Sequence, residues 1–205
     1  MITIGLCGGS GSGKGAVSAI AREMNIPAID TDSVYRALTS TASPCLDELA
    51  TEFGARVISA DGSLDRAVLR EIVFNDRARL DVLNEITHKH ILSRTREMLL
   101  DFSNSGYTAA IVDAPLLFES GFDKECDVVV CVIADKETRI ARIVARDGIA
   151  PEAAEKRIAS QLSDSELISA SNFLIYNNGT VAELRANTEF VFKKIIDKRT
   201  VNENE

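Results

Sequence analysis

Apolar and polar positions along this chain alternate between two periods. Ile2–Cys7 is a short continuous apolar run that stops at a glycine cluster, and it predicts a buried strand. From Ala16 to Met24, Val17, Ile20, Ala21 and Met24 recur at helical spacing. Ile26–Ile29 predicts a second strand, and Ser33–Leu38 and Leu46–Phe53 predict helices. Ala109–Val112 and the valine-rich Val128–Ile133 are again strand-like. Lys136–Arg146 is amphipathic through Ile140, Ile143 and Val144, Asn172–Ile175 predicts a last strand, and Val181–Ile196 a closing helix. Strands in turn with helices predict an α/β architecture with a mainly parallel sheet.

One stretch breaks that rhythm. Leu64 to Phe102 holds no good strand but strong helical periodicity, through Val68, Leu69, Ile72, Val73, Leu80, Leu83, Ile86, Ile91, Met98 and Leu99. It predicts a helical insert, about residues 60–105, between the second and third strands. Pro151–Gln161 predicts a further helix, with Pro151 suited to its first turn. The polar end Asn202–Glu205 is expected to fray.

At 205 residues the chain suits one globular domain with an inserted subdomain. Apolar residues make up 45% and charged residues 26%, enough for a sizeable core under an ordinary soluble surface. A net charge of −8 disfavours nucleic acid and anionic membrane as partners, since both are densely negative. The four cysteines (Cys7, Cys45, Cys126, Cys131) form no Cys-x-x-Cys pair and only two histidines accompany them, which argues against a zinc site. Buried free thiols in a reducing cytosol are the expectation. No apolar run approaches the ~18–20 residues that span a bilayer, and no secretory leader opens the chain. A soluble cytoplasmic protein, monomeric or weakly homo-oligomeric, is expected.

Gly8-Gly9-Ser10-Gly11-Ser12-Gly13-Lys14 matches the first seven positions of the P-loop pattern, between a predicted strand and a predicted helix. Glycines let the backbone approach phosphate oxygens, and several amides then point inward at a helix N-terminus that favours anions. Lys14 adds a charge that can reach β- and γ-phosphates. The eighth position departs from the pattern. Ser or Thr is asked for, to ligate Mg²⁺, and the chain has Gly15 followed by Ala16. Magnesium keeps waters readily, so a water can stand in for that hydroxyl; the alternative is nucleotide binding with impaired catalysis.

Other candidates follow the strands. Asp30-Thr31-Asp32 ends the second strand, where a carboxylate can take a proton from an acceptor hydroxyl or cap a helix. Asp30 can cap while Asp32 faces a ligand. Ala109-Ala110-Ile111-Val112-Asp113 resembles a Walker B element, whose carboxylate helps hold Mg²⁺ directly or through water. Arg139, Arg142 and Arg146 share nearby faces of one helix, as phosphate clamps or as a solvated face paired with Glu137 or Asp135. Arg66, Arg70, Arg77 and Arg79 raise the same question in the insert. His88 lies among apolar positions, where a structural histidine is expected, and Asn177-Asn178-Gly179 suits a turn or a base contact.

Together these residues resemble the dephospho-CoA kinase family. The resemblance rests on Gly5–Lys14, on Ile29-Asp30-Thr31-Asp32 with Arg36, on Phe53-Gly54, and on Asp61–Arg66 with Leu69-Arg70. It continues through Leu83-Asn84 with His88, Asp113-Ala114-Pro115-Leu116-Leu117-Phe118-Glu119, Arg142 with Arg146-Asp147, Gln161, and Asn177-Asn178-Gly179. It implies an α/β, P-loop NTPase-type three-layer fold with a parallel five-stranded sheet, a helical CoA-side insert and a mobile helical lid at about 139–162. The implied reaction is transfer of the ATP γ-phosphate to the ribose 3′-hydroxyl of dephospho-CoA, a phosphotransfer to an alcohol that completes coenzyme A. Implied for the ATP and Mg²⁺ side are Gly9, Ser10, Gly11, Ser12, Gly13, Lys14, Gly15, Ala16, Arg142 and Asn177, with Asp113 for metal. Asp32 is implied as base, with Lys14 and Arg142 stabilising the transferring group. Asp32, Arg36, Arg66, Arg70 and His88 fall on the acceptor side, with Leu116 and Phe118 near it. The chain departs from the family at Gly15-Ala16, usually Ser-Thr, at Lys89, usually proline, and at Tyr176. A kinase for a nucleoside or nucleotide, and a nucleotide-binding paralogue with impaired catalysis, are the competing readings.

Overall fold

The computed structural model describes residues 1–202, with side chains to Lys198. The polar end beyond Asn202 lies outside the described residues. Five strands are present: β1 (Ile2–Cys7), β2 (Ala28–Asp30), β3 (Ala109–Asp113), β4 (Val128–Ile133) and β5 (Phe173–Tyr176), in the sheet order β2-β3-β1-β4-β5. β1 pairs in parallel with β3 and β4, and β4 with β5. β1 is central, and the chain leaves it first toward one edge and later toward the other. Its C-terminal end therefore lies where the strand order reverses, the position at which open α/β sheets take ligands.

The chain divides into two units, Met1–Ala28 with Asp101–Glu205, and Ile29–Leu100. In the first, alternate residues of the central strands (Ile4, Leu6, Val130, Val132) face a core shared with α1 (Lys14–Glu23) and α9 (Val181–Asn202). Val17, Ile20 and Ala21 of α1 and Leu184, Val191, Phe192 and Ile195 of α9 supply the facing apolar stripes. This unit also holds α6 (Lys136–Asp147), α7 (Pro151–Ala159) and α8 (Asp164–Ser169). Pro151 takes the first turn of α7, and Gly148 ends α6 in the left-handed region at φ 65°. α8 has no counterpart among the predicted helices.

The second unit is helical: α2 (Thr31–Leu38), α3 (Pro44–Phe53), α4 (Arg66–Val73) and α5 (Arg77–Asn104), the last running on past Leu100. Its core joins Leu46, Leu49, Phe53, Val57, Leu69, Val73 and Ile86. It takes in α2 and α3 as well as the periodic stretch expected as an insert. Each of its first three helices starts on a side-chain cap. Asp30 accepts from the Asp32 amide, Ser43 from Leu46, and Asp65 from Ala67 and Val68. The long helical run predicted over Leu64–Phe102 is two helices, because Asp76 turns the chain and accepts from the Arg79 amide at 3.0 Å.

Candidate active site

β1 ends at Cys7 and α1 starts at Lys14, so residues 8–13 form the loop between them. Gly13 adopts φ 102° as the residue before α1, and a Cβ there would overlap Asn177 Nδ2. No side chain caps α1, so its first-turn amides and positive end face the loop. Lys14 Nζ donates to the Gly8 carbonyl at 2.9 Å, folding its charge back over the loop.

Polar side chains from three later segments hold this loop. Arg139, only 3% exposed, donates from Nε to Ser10 O at 2.9 Å and from Nη1 to Asp164 of α8 at 2.7 Å. Gln161 accepts the Ser10 amide at 2.8 Å, so both backbone polar groups of Ser10 are taken by the stretch 139–161. Arg142 donates to Gly11 O at 3.3 Å and, through Nη2, to Asn177 O at 3.0 Å. Asn177, buried at the end of β5, donates from Nδ2 to Ser12 O at 2.7 Å. Arg139 therefore does not lie on a solvated face; its guanidinium is buried because the Ser10 carbonyl and Asp164 replace water it loses. Arg146 behaves differently: it is exposed and pairs with Asp147, whose carboxyl Arg146 and then Arg157 hold well below the usual range.

Asp113 closes β3 and accepts from the buried Ser18 hydroxyl of α1 at 3.4 Å. Ser18 was not among the sequence candidates, although it lies one helical turn beyond Gly15. Gly15 and Ala16 are exposed, and nothing lies within 4 Å of a Cβ placed at Gly15. Leu116 is 47% exposed and Phe118 half-buried; with Pro115, Glu119 and Gln161 they line a cavity that Gly8 and Gly9 also line. The loop and the Pro115–Glu119 run thus meet at one opening.

In the helical unit Asp32 and Arg36 are exposed on α2. Asp30 takes the capping role, which leaves the Asp32 carboxylate uncommitted. Arg66 donates to Thr39 Oγ1 at 3.3 Å and lies 5.3 Å from the Tyr35 ring centre, which brings it beside the helix that carries Arg36. Burial, opposed by Arg66, raises the Tyr35 phenol above its ordinary value. Arg70 is exposed and His88 half-buried, and neither is tied to the other candidates by a hydrogen bond. The histidine with a firm partner is His90, 2.7 Å from Glu48, which Lys89 also meets at 2.5 Å. Lys89 continues α5 without a break.

The dephospho-CoA kinase family model matches residues 2–183. The dephospho-CoA kinase of Symbiobacterium thermophilum is 38% identical over 193 residues, 94% of this chain and 81% of that protein. That of Corynebacterium glutamicum is 35% identical over 198 residues, 97% of this chain and 99% of that protein. The solved dephospho-CoA kinase from Campylobacter jejuni superposes with a TM-score of 0.72 at 25% identity, covering 96% of this chain and 98% of that one. With a matching motif set, a matching sheet and a family match over most of its length, the chain belongs to the dephospho-CoA kinase family.

Proposed function

We propose that this chain transfers the γ-phosphate of ATP to the ribose 3′-hydroxyl of dephospho-CoA, giving coenzyme A and ADP. The observation that carries this reading is the shared opening. The Pro115–Glu119 run, the most family-specific motif, lines the same cavity as Gly8 and Gly9 of the phosphate loop. Residues 9–16 receive the triphosphate through backbone amides and the positive end of α1. Lys14 leaves the Gly8 carbonyl for phosphate oxygens, and Arg142, already at the loop rim, meets the charge that develops in transfer. Asn177 steadies the loop and Arg142 together.

Asp32 acts as base toward the acceptor hydroxyl, a role its exposed carboxylate permits because Asp30 caps α2. Arg36, Arg66, Arg70 and His88 bind the acceptor, whose phosphates call for cationic partners. Leu116 and Phe118 offer apolar contact to it. For Mg²⁺, the donors fit a metal held mainly by phosphate oxygens and water: Asp113 is one carboxylate, and open space at Gly15 admits water. Bound there, magnesium would neutralise charge on the β- and γ-phosphates. The protein works as a soluble cytoplasmic enzyme without nucleic acid; among the described residues no helix is long and apolar enough to cross a membrane.

ADP release with dephospho-CoA, adenosine, AMP and dAMP as rival acceptors, each across a magnesium titration, tests this reading. Dephospho-CoA alone should support turnover. Turnover with a nucleoside or nucleotide instead would reassign the acceptor. Tight ATP binding without any product at every magnesium level would make the chain a nucleotide-binding paralogue.

A further inference from the structure

Cys7 and Cys131 carry chemistry that phosphoryl transfer does not use. They are register partners on the adjacent parallel strands β1 and β4. Their side chains share the sheet face opposite Ile4, Leu6, Val130 and Val132. Neighbouring strands lie about 4.8 Å apart, within the Cα spacing of about 4.4–6.8 Å that a disulfide bridges. Both residues are buried, yet Cys7 lines the cavity beside Gly8 and Gly9. Its volume of about 80 Å³ is several times what one water requires, room for an oxidant as small as hydrogen peroxide.

Environment separates the four thiols. Burial, then Glu48, pushes Cys45 up to about 11. Burial, then Asp123 and Asp127, pushes Cys126 up to about 12. Only Cys7 is drawn below its ordinary value, first by the Cys131 S–H, then, against burial, by the Ser171 hydroxyl 3.4 Å away and by the Lys14 ammonium. The same contact raises Cys131, so of the two sulfurs Cys7 gives up its proton more readily.

We propose that Cys7 and Cys131 are a peroxide-oxidised dithiol site at the base of the phosphate loop, and that their disulfide form binds nucleotide poorly. The Cys7 thiolate attacks one oxygen of hydrogen peroxide; the S–O bond forms, the O–O bond breaks and hydroxide leaves, taking up the proton that Cys7 had lost. The Cys131 sulfur then attacks the Cys7 sulfur. The S–S bond forms, the S–O bond breaks, and the departing oxygen takes the Cys131 proton as water. Two thiols lose two electrons and one peroxide becomes two waters. The loop feels this because Gly8 follows Cys7 and a Cβ at Gly8 would stand 2.5 Å from Val132 O, next to Cys131. Drawing two sulfurs to about 2.05 Å therefore moves a junction without slack, and with it the carbonyl that Lys14 binds at 2.9 Å.

Limited hydrogen peroxide treatment of the whole protein, followed by intact mass, a non-reducing peptide map and ATP calorimetry, tests the site. The expected results are loss of two hydrogens, a Cys7–Cys131 linked peptide, and ATP affinity reduced about tenfold or more, the scale of a small misplacement, with recovery under dithiothreitol. Cys131→Ala should abolish the link and send Cys7 on to the sulfinic acid. The wild-type map decides the assignment even if that variant does not fold. Oxidation of Cys45 or Cys126 ahead of Cys7, absence of the linked peptide, or a linked protein with unchanged ATP affinity would each overturn the proposal.

Discussion

Arg139 and Arg142 beside the phosphate loop, and Arg36 and Arg70 of the helical unit, are held in opposite ways. Arg139 and Arg142 are committed before any ligand arrives, to Ser10, Gly11 and Asn177 carbonyls and to Asp164. Arg36 and Arg70 are exposed and make no side-chain hydrogen bond or ion pair among the described residues. A preorganised cation loses little entropy on meeting phosphate and needs no reorganisation as charge develops, whereas a free one must be ordered by its ligand. On the proposed roles, the donor-side arginines Arg139 and Arg142 are thus set by the fold, and the acceptor-side Arg36 and Arg70 are ordered by the acceptor.

The largest effect should come from the chemistry on the acceptor side. Asp32→Asn is expected to lower kcat by about 10²–10⁴-fold, the range for losing a general base, while ATP affinity by calorimetry changes less than about twofold. Next is the buried ion pair. Arg139→Met strips Asp164 of its partner and Ser10 O of its donor; denaturant melts should show a loss of about 2–3 kcal/mol, below the full figure for a buried pair because Asp164 is partly exposed. Asn177→Ala removes the Ser12 O contact and the side-chain Oδ1 that Arg142 Nη2 meets at 3.3 Å, while the Asn177 carbonyl stays, and should weaken ATP about tenfold, near 1–2 kcal/mol. Arg70→Ala should raise KM for dephospho-CoA by about tenfold, the worth of one charge-assisted hydrogen bond, and leave the ATP dissociation constant alone. A matching loss of ATP affinity in Arg70→Ala would erase the contrast between the two regions. The smallest effect is at Gly15→Ser. The open space there accepts the side chain, helix propensity improves by about 0.5 kcal/mol, and the magnesium needed for half-maximal rate should fall.

Much of this was legible from the chain. β1 and β4 end where the apolar runs end, since strands buried on both faces read as unbroken hydrophobic stretches. The phosphate loop was legible because its glycines and lysine are constrained residue by residue. The apolar run Ile26–Ile29 points to a strand two residues ahead of β2, at Ala28–Asp30, because Ile26 is buried in the core without being in the strand. α8 was missed, although Ser163-x-x-Glu166 before Leu167 is a capping-box signature, with the Ser163 amide 2.8 Å from Glu166. The commitment of Arg139 could not be read from helical spacing, because its partners are the Ser10 carbonyl and a side chain 25 residues away, and periodicity reports faces rather than partners. Ser18 escaped for a similar reason: its partner Asp113 lies on another strand, far along the chain.

The account rests on a donor site that is assembled without its acceptor. Calorimetric titration of ATP with magnesium into the protein alone, no dephospho-CoA present, measures that directly. Saturable one-to-one binding, with affinity little changed when dephospho-CoA is added, is the predicted result. No heat of association at millimolar ATP, or binding that emerges only once dephospho-CoA is present, would contradict it.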